Sequence, residues 1–114
     1  MIKIDKTVYD VREESDGKRV LVMRFWPRGV SKDRIDVWIK ELGTEKELIR
    51  KWKTGKVTWL KFARAYNASL KGKEDILKEL AAESKKAPVT LLCGCKDGTH
   101  CHRHLLKLAI QKHY

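Results

Sequence analysis

Two short stretches of the chain, residues 20–24 and 89–92, are almost continuously apolar. Such runs are typical of strands that are buried on both faces of a sheet. Pro27 and Gly29 end the first run, because proline lacks a backbone donor and glycine permits a turn. A weaker alternation of apolar and polar residues at 2–11 predicts a further strand.

Helix signals lie between and after these strands. Ser31 favours a helix start, and Thr44 with Glu47 has the pattern of a capping box. Thr58 precedes a set of apolar residues that recur at helical spacing. The predicted helices cover residues 31–42, 44–55, 58–70 and 73–86, and a last helix begins near His100 or Cys101.

This order of elements predicts an α/β fold, because strands that alternate with helices usually form a parallel sheet. We expect one domain, residues 1–114, with a short, mostly parallel sheet that helices cover in a three-layer arrangement. Ligands of open α/β folds bind beyond the carboxyl ends of the strands. The loops that follow residues 24 and 92 are therefore where a binding site is expected.

Charge adds to this picture because positive residues are in excess. The chain has 26 Lys and Arg against 15 Asp and Glu, a net charge of +11, and a pI near 9.7. This excess favours an anionic small molecule or a nucleic acid as partner. A single Asn and a single Gln, beside abundant Lys and Glu, are typical of hyperthermophile chains. No signal sequence and no membrane-spanning run is visible, so we expect a cytoplasmic protein without a membrane partner. The oligomeric state is left open.

The stretch CGCKDGTHCHRH, residues 93–104, holds all three cysteines and three of the four histidines. One interpretation is a metal site, because Cys and His are the usual ligands of zinc. The metal candidates are Cys93, Cys95, His100 and Cys101. Their spacing is not a recognised zinc pattern, so no metal is assigned, and the sequence requires no cofactor.

A second interpretation is a reactive thiol in a small enzyme. A cysteine at a helix start beside His and Arg has a lowered pKa. The candidate catalytic residues are Cys101, Cys93 and His102. The spacing excludes two known thiol sites: a protein tyrosine phosphatase loop needs a Cys six positions before Arg103, where this chain has Asp97, and no C-x-x-C pair occurs.

A third interpretation is an anion site, because the unpaired backbone N–H groups at a helix start bind phosphate, sulfate or carboxylate. The candidate anion-binding residues are Arg24, Arg28, Arg103, Thr99, His100 and Lys96. If the two apolar strands are parallel neighbours, the three arginines are predicted to meet in one electropositive pocket. Binding of a phosphate-bearing ligand, a nucleotide or nucleic acid, is the first functional hypothesis. A Cys/His/Arg enzyme, and a zinc-binding or redox-sensitive cluster, are the alternatives.

Two motifs of the chain also resemble those of a known family. VYDVREESDGKRVLVMRFWPRGVSK (residues 8–32) and VTLLCGCKDGTHCHRHLL (residues 89–106) are similar to the signatures of the YeaO-like branch of the family called domain of unknown function 488. The resemblance implies a small three-layer α/β domain without an established activity. The motif positions are Asp10, Arg24, Trp26, Pro27, Arg28 and Gly29 in the first signature, and Cys93, Cys101, His102 and Arg103 in the second. Cys95 and His104 lie outside the shared pattern.

Overall fold

The computed structural model describes residues 1–94 and 101–114. Its sheet has four short strands: β1 (Ile2–Lys3), β2 (Lys18–Leu21), β3 (Val37–Trp38) and β4 (Val89–Leu92). They are arranged in the order β1-β4-β2-β3, and every neighbouring pair is parallel. This confirms the α/β class and the parallel pairing of the two apolar strands.

Four α-helices accompany the sheet within the described residues: α1 (Lys46–Lys53), α2 (Trp59–Ser69), α3 (Glu74–Lys86) and α4 (His102–Gln111). Short 3-10 helices cover Glu14–Asp16, Lys32–Arg34 and Lys40–Leu42. The predicted cap of α2 is confirmed, since the Thr58 hydroxyl accepts a hydrogen bond from the Lys61 amide at 3.2 Å.

The predicted helix at residues 31–42 is wrong. That segment contains two of the 3-10 helices and, between them, the edge strand β3. β3 forms because β2 supplies backbone partners on either side of it: Asp36 N–H donates to Arg19 O at 2.9 Å, and Ile39 N–H donates to Leu21 O at 2.9 Å. Sheet pairing therefore prevails over the local helix signal at Ser31.

Two further predictions need correction. The capping box at Thr44 does not form: Glu45 is the N-cap of α1, and no side chain caps it. The first strand covers only Ile2–Lys3 rather than residues 2–11, because the chain leaves the sheet and crosses over one of its faces. β2 also begins and ends earlier than predicted, at Lys18 and Leu21.

The two faces of the sheet are covered differently. Val20 and Leu91 point into a large core that the helices form with the sheet. Leu21 and Leu92 point to the opposite face, where they pack with Val8 from a long loop. Among the described residues this second layer contains loops and 3-10 helices rather than α-helices. No helix in the described ranges is long and apolar enough to cross a membrane.

A buried ion pair organises the loop layer. Asp16 and Arg19 are both fully buried, and Arg19 Nη1 lies 2.6 Å from Asp16 Oδ2. Arg19 also donates to the main-chain oxygens of Arg34 at 2.8 Å and Asp10 at 3.1 Å. The Lys6 ammonium lies 2.8 Å from the other Asp16 oxygen. The ion pair thus connects β2 with three segments of the loop layer, at Lys6, Asp10 and Arg34.

The same contacts change the acidity of Asp16. Burial alone would raise the pKa of this carboxyl, but hydrogen bonds from Lys6, from the Glu13 amide and from Arg19 outweigh burial and lower the pKa to about 2. Asp16 is therefore ionised throughout the physiological range.

Candidate functional site

Two cysteines meet at the carboxyl end of the central strand. Cys93 directly follows β4, and Cys101 is the N-cap of α4. Their sulfur atoms are 3.3 Å apart, and each residue is 2% exposed. Because β4 lies between β1 and β2, this pair lies at the edge where ligands of parallel sheets bind.

His102, the first residue of α4, is held with one nitrogen towards the thiols. Its Nε2 lies 2.7 Å from the Val22 carbonyl oxygen, which can only accept, so Nε2 carries a proton. Its Nδ1 then lies 3.8 Å from Cys101 Sγ. The ring also packs edge-on against Tyr66, with the ring centres 5.4 Å apart. The imidazole is thus fixed to accept a proton from the thiol or to return one.

Arg103 brings a positive charge to the same sulfur. Its Nε donates to Cys101 Sγ at 3.4 Å. Its Nη1 donates to the main-chain oxygen of Lys6 and, at 3.5 Å, to that of Leu91. The residue is 4% exposed. The segment that follows β1 and the strand β4 therefore orient the guanidinium, which cannot turn away from Cys101 without breaking these bonds.

These neighbours place the pKa of the Cys101 thiol well below its ordinary value. The largest cause is a hydrogen bond from Cys93, followed by a hydrogen bond from His102, the positive charge of His102 and the Arg103 amide, while burial opposes them. The N-terminus of α4 also favours a negative charge at its N-cap. These contacts favour the thiolate form of Cys101, in which Cys93 is the donor that faces it.

The three side chains also have the composition of a metal site. The ligand atoms of Cys93, Cys101 and His102 all lie within 4.8 Å of one another. Two thiolates bound to one tetrahedral zinc would be about 3.8 Å apart, given a Zn–S bond of about 2.3 Å. The sulfur separation is shorter than that and suits a thiol that donates to a thiolate. Cys95 and His100, the other two metal candidates, lie outside the described residues.

The predicted anion-binding residues occupy different environments. Arg24 is half-buried and donates to the Gly43 main-chain oxygen at 3.5 Å, while its Nε is buried without a hydrogen-bond partner among the described residues. Arg28 is exposed, whereas Arg103 is buried against Cys101. Thr99, His100 and Lys96 lie outside the described residues. A shared pocket for the three arginines stays a prediction.

Sequence reasoning missed the contribution of Tyr66 to this site. Its place in an apolar stripe of α2 indicated only a core residue. In the structure its hydroxyl donates to the Leu42 main-chain oxygen at 2.6 Å, and its ring supports His102. No spacing along the chain connects α2 with residue 102, so only the packing of α2 on α4 reveals the contact.

Comparisons with known proteins assign the chain to a family. The family model described as "Active DUF488-N3 subclade" matches residues 2–114. The uncharacterised protein YeaO of Escherichia coli K12 is 41% identical over 103 residues, which cover 89% of this chain and 90% of YeaO. An uncharacterised protein of Mycobacterium bovis is 34% identical over 87 residues, 73% of this chain and 74% of that protein. No solved structure matches the chain. The chain therefore belongs to the DUF488 family, as its two sequence motifs predicted.

Proposed function

We propose that this protein is a small thiol-dependent enzyme in which the Cys101 thiolate is the nucleophile. The observation that carries the proposal is the arrangement around one sulfur: Cys93 Sγ at 3.3 Å, Arg103 Nε at 3.4 Å and His102 Nδ1 at 3.8 Å. A thiolate, an imidazole held by a second partner and a fixed cation are the parts that nucleophilic catalysis by cysteine requires.

Each residue has a distinct role in this proposal. Cys101 attacks an electrophilic atom of the substrate. His102 moves a proton through Nδ1, while its bond to the Val22 oxygen holds the ring in place. Arg103 stabilises the negative charge on sulfur before the attack. Because Cys93 and Cys101 are each 2% exposed, a small substrate fits this site better than a macromolecule. The description of the matching family as an active subclade supports an enzymatic role.

The cellular setting is part of the same proposal. A cytoplasmic location, which the sequence favours, keeps cysteines reduced. Cys101 would then be available as a thiolate rather than locked in a disulfide. This is the condition that a nucleophilic cysteine needs between catalytic cycles.

Alkylation as a function of pH tests the nucleophile. The full chain with Cys95→Ser, which removes the third thiol, is treated with iodoacetamide from pH 5 to pH 10, and mass spectrometry locates the label. An ordinary thiol with a pKa near 8.5 is only about 0.3% thiolate at pH 6. We expect Cys101 to react at pH 6 about 100-fold faster than such a thiol, with a nearly flat pH profile.

Matched control variants distinguish the contribution of Cys101 from that of Cys93. Cys101→Ser in the same background should remove the fast phase, whereas Cys93→Ser should keep a reactive Cys101 with a moderately higher pKa. Circular dichroism of each variant checks that it folds. A Cys101 alkylation profile with its midpoint near pH 8.5 would contradict the proposal.

A second candidate function is binding of a phosphate-bearing ligand near Arg24 and Arg28. The specific observation is the Arg24 Nε, which is buried without a hydrogen-bond partner in the described part of the chain. Buried polar groups are normally paired, so an orphaned guanidinium nitrogen suits an anionic ligand. The net charge of +11 agrees with a nucleotide, a nucleic acid or another anionic small molecule.

Retention on heparin tests this second function. We expect retention at low salt that collapses at moderate salt, because displacement of counterions drives such binding. Arg24→Gln should elute at a lower salt concentration than the parent protein, and Lys53→Gln, an exposed position on α1 far along the chain, serves as the charge-matched control. Equal elution of the two variants would exclude a specific role for Arg24.

A further inference from the structure

The two sulfur atoms at the candidate site are close enough to bond to each other. Cys93 Sγ and Cys101 Sγ are 3.3 Å apart, and a disulfide needs about 2.05 Å. The approach required is therefore only about 1.3 Å. One thiol ends a strand and the other begins a helix, so neither lies within a regular element that would have to be broken.

Two side chains of α4 favour a negative charge on Cys101. Arg103 Nε lies 3.4 Å and His102 Nδ1 lies 3.8 Å from Cys101 Sγ. When Cys101 is the thiolate, Cys93 is the donor in the hydrogen bond between the two sulfurs. In thiol–disulfide exchange, one cysteine attacks as a thiolate and a second cysteine attacks the mixed disulfide that results. In this geometry Cys101 is placed to be the attacking cysteine, and Cys93 is placed to be the second one.

We infer that Cys101 and Cys93 form a dithiol that reduces a small-molecule disulfide, with Cys101 as the attacking and Cys93 as the resolving cysteine. This inference rests on the proposed function, since it needs Cys101 as a nucleophile. It adds the substrate class, a low-molecular-weight disulfide, and the fate of the covalent intermediate.

The reaction balances in two steps. The Cys101 thiolate attacks one sulfur of R–S–S–R, which forms a Cys101–S–S–R bond and releases RS⁻. The sulfur of Cys93 then attacks Cys101 Sγ, which forms the Cys93–Cys101 disulfide and releases the second R group as RSH with the proton of Cys93. The substrate gains two electrons, and the two cysteines lose them. Two molecules of a second thiol, R′SH, restore the dithiol by the same exchanges and leave as the disulfide R′–S–S–R′.

The neighbouring residues suit both steps. His102 Nδ1 can give its proton to the first leaving thiolate, then take the proton of Cys93 as it attacks and pass it to the second one. The Val22 carbonyl holds the ring near both sulfurs. Arg103 stays on Cys101 Sγ through its bonds to main-chain oxygens, so it also stabilises Cys101 when that sulfur becomes the leaving group during reduction.

The stoichiometry of a chromogenic disulfide tests the inference. The full chain with Cys95→Ser is reduced, freed of reductant, analysed for zinc, and mixed with 4,4′-dithiodipyridine, a small uncharged disulfide. We expect about two equivalents of thiopyridone per chain and a protein that carries no adduct, because the internal disulfide displaces the second group. With Cys93→Ser added, we expect about one equivalent and a stable pyridyl adduct on Cys101.

The possible results separate this inference from the proposed function. Two stable adducts on the Cys95→Ser protein, or one stable adduct on Cys101, would overturn the dithiol while leaving a reactive Cys101 intact. Slow reaction of Cys101 together with an ordinary alkylation profile would overturn both. Stoichiometric zinc that blocks the thiols would replace the dithiol with a metal site. The Cys95→Ser measurement needs no substitution at either cysteine, so a variant that fails to fold does not prevent the test.

Discussion

Replacement of Asp16 by Asn tests how much the buried ion pair contributes to stability. Asp16 and Arg19 are fully buried, and Lys6 approaches the second carboxylate oxygen. Asn preserves the size of the side chain but removes the negative charge, so the Arg19 cation loses its buried counter-ion. Removal of one partner from a buried pair costs about 3–5 kcal/mol. We expect the lower value, about 3 kcal/mol at pH 7, because the Asn oxygen can still accept a hydrogen bond.

The pH dependence of this difference in stability provides a second quantity to measure. The Asp16 carboxyl has a pKa of about 2 in the folded protein, against 3.8 for an unperturbed Asp. A lowered pKa contributes stability that is fully present above about pH 4 and is lost as the pH falls through about 2. The difference corresponds to about 2 kcal/mol, at about 1.4 kcal/mol per pKa unit. The stability gap between the parent and Asp16→Asn should therefore shrink from about 3 to about 1 kcal/mol between pH 5 and pH 2.

Guanidinium unfolding followed by far-ultraviolet circular dichroism measures both quantities. Other carboxyls titrate in the two proteins alike, so their effects cancel in the difference. Asp5→Asn, at an exposed position, is the control and should change the free energy of unfolding by less than about 0.5 kcal/mol. If the gap at pH 7 were as small as that of the control, or if it stayed constant down to pH 2, the structural role given to Asp16 would be refuted.

Three further substitutions probe other contacts. Gly17→Ala should destabilise the protein by about 3 kcal/mol in denaturant unfolding, because residue 17 has a φ of 64° and an added Cβ would lie 2.1 Å from the Pro88 oxygen. Thr58→Ala should cost about 1 kcal/mol by removing the cap on the Lys61 amide, while Thr58→Ser should cost less than Ala. Tyr66→Phe should cost about 1–3 kcal/mol in thermal unfolding, because it leaves a buried main-chain oxygen without its 2.6 Å hydrogen bond.

Much of the fold could be predicted because burial leaves a clear pattern in the sequence. Apolar residues make up most of β4 and the second half of β2. Thr58 is a cap that precedes a clearly amphipathic helix. β3 could not be found in this way. It is two residues long and lies at the edge of the sheet, and its formation depends on hydrogen bonds to β2 that no local pattern encodes.

The residues of the candidate site could be predicted from the sequence, but the directions in which their side chains point could not. The sequence placed Cys93, Cys101, His102 and Arg103 near one another because a strand end and a helix start flank a short loop. It could not indicate that Arg103 turns inward, because arginine is usually exposed and its long side chain can reach either way. Arg19 was missed for the same reason, since a charged residue at a strand start looks like a surface residue until its buried partner is known.

The order of the strands has a consequence for synthesis of the chain. β4, the strand that touches both β1 and β2, comes after 88 other residues. Until the ribosome has made it, β1 has no partner and β2 has only the edge strand. The contacts that complete the sheet join Ile2 to Val89 and Val20 to Leu91, so they form only after β4 has been made. A nascent chain of this protein therefore carries unpaired strand edges until β4 emerges from the ribosome, and these are the surfaces that chaperones protect.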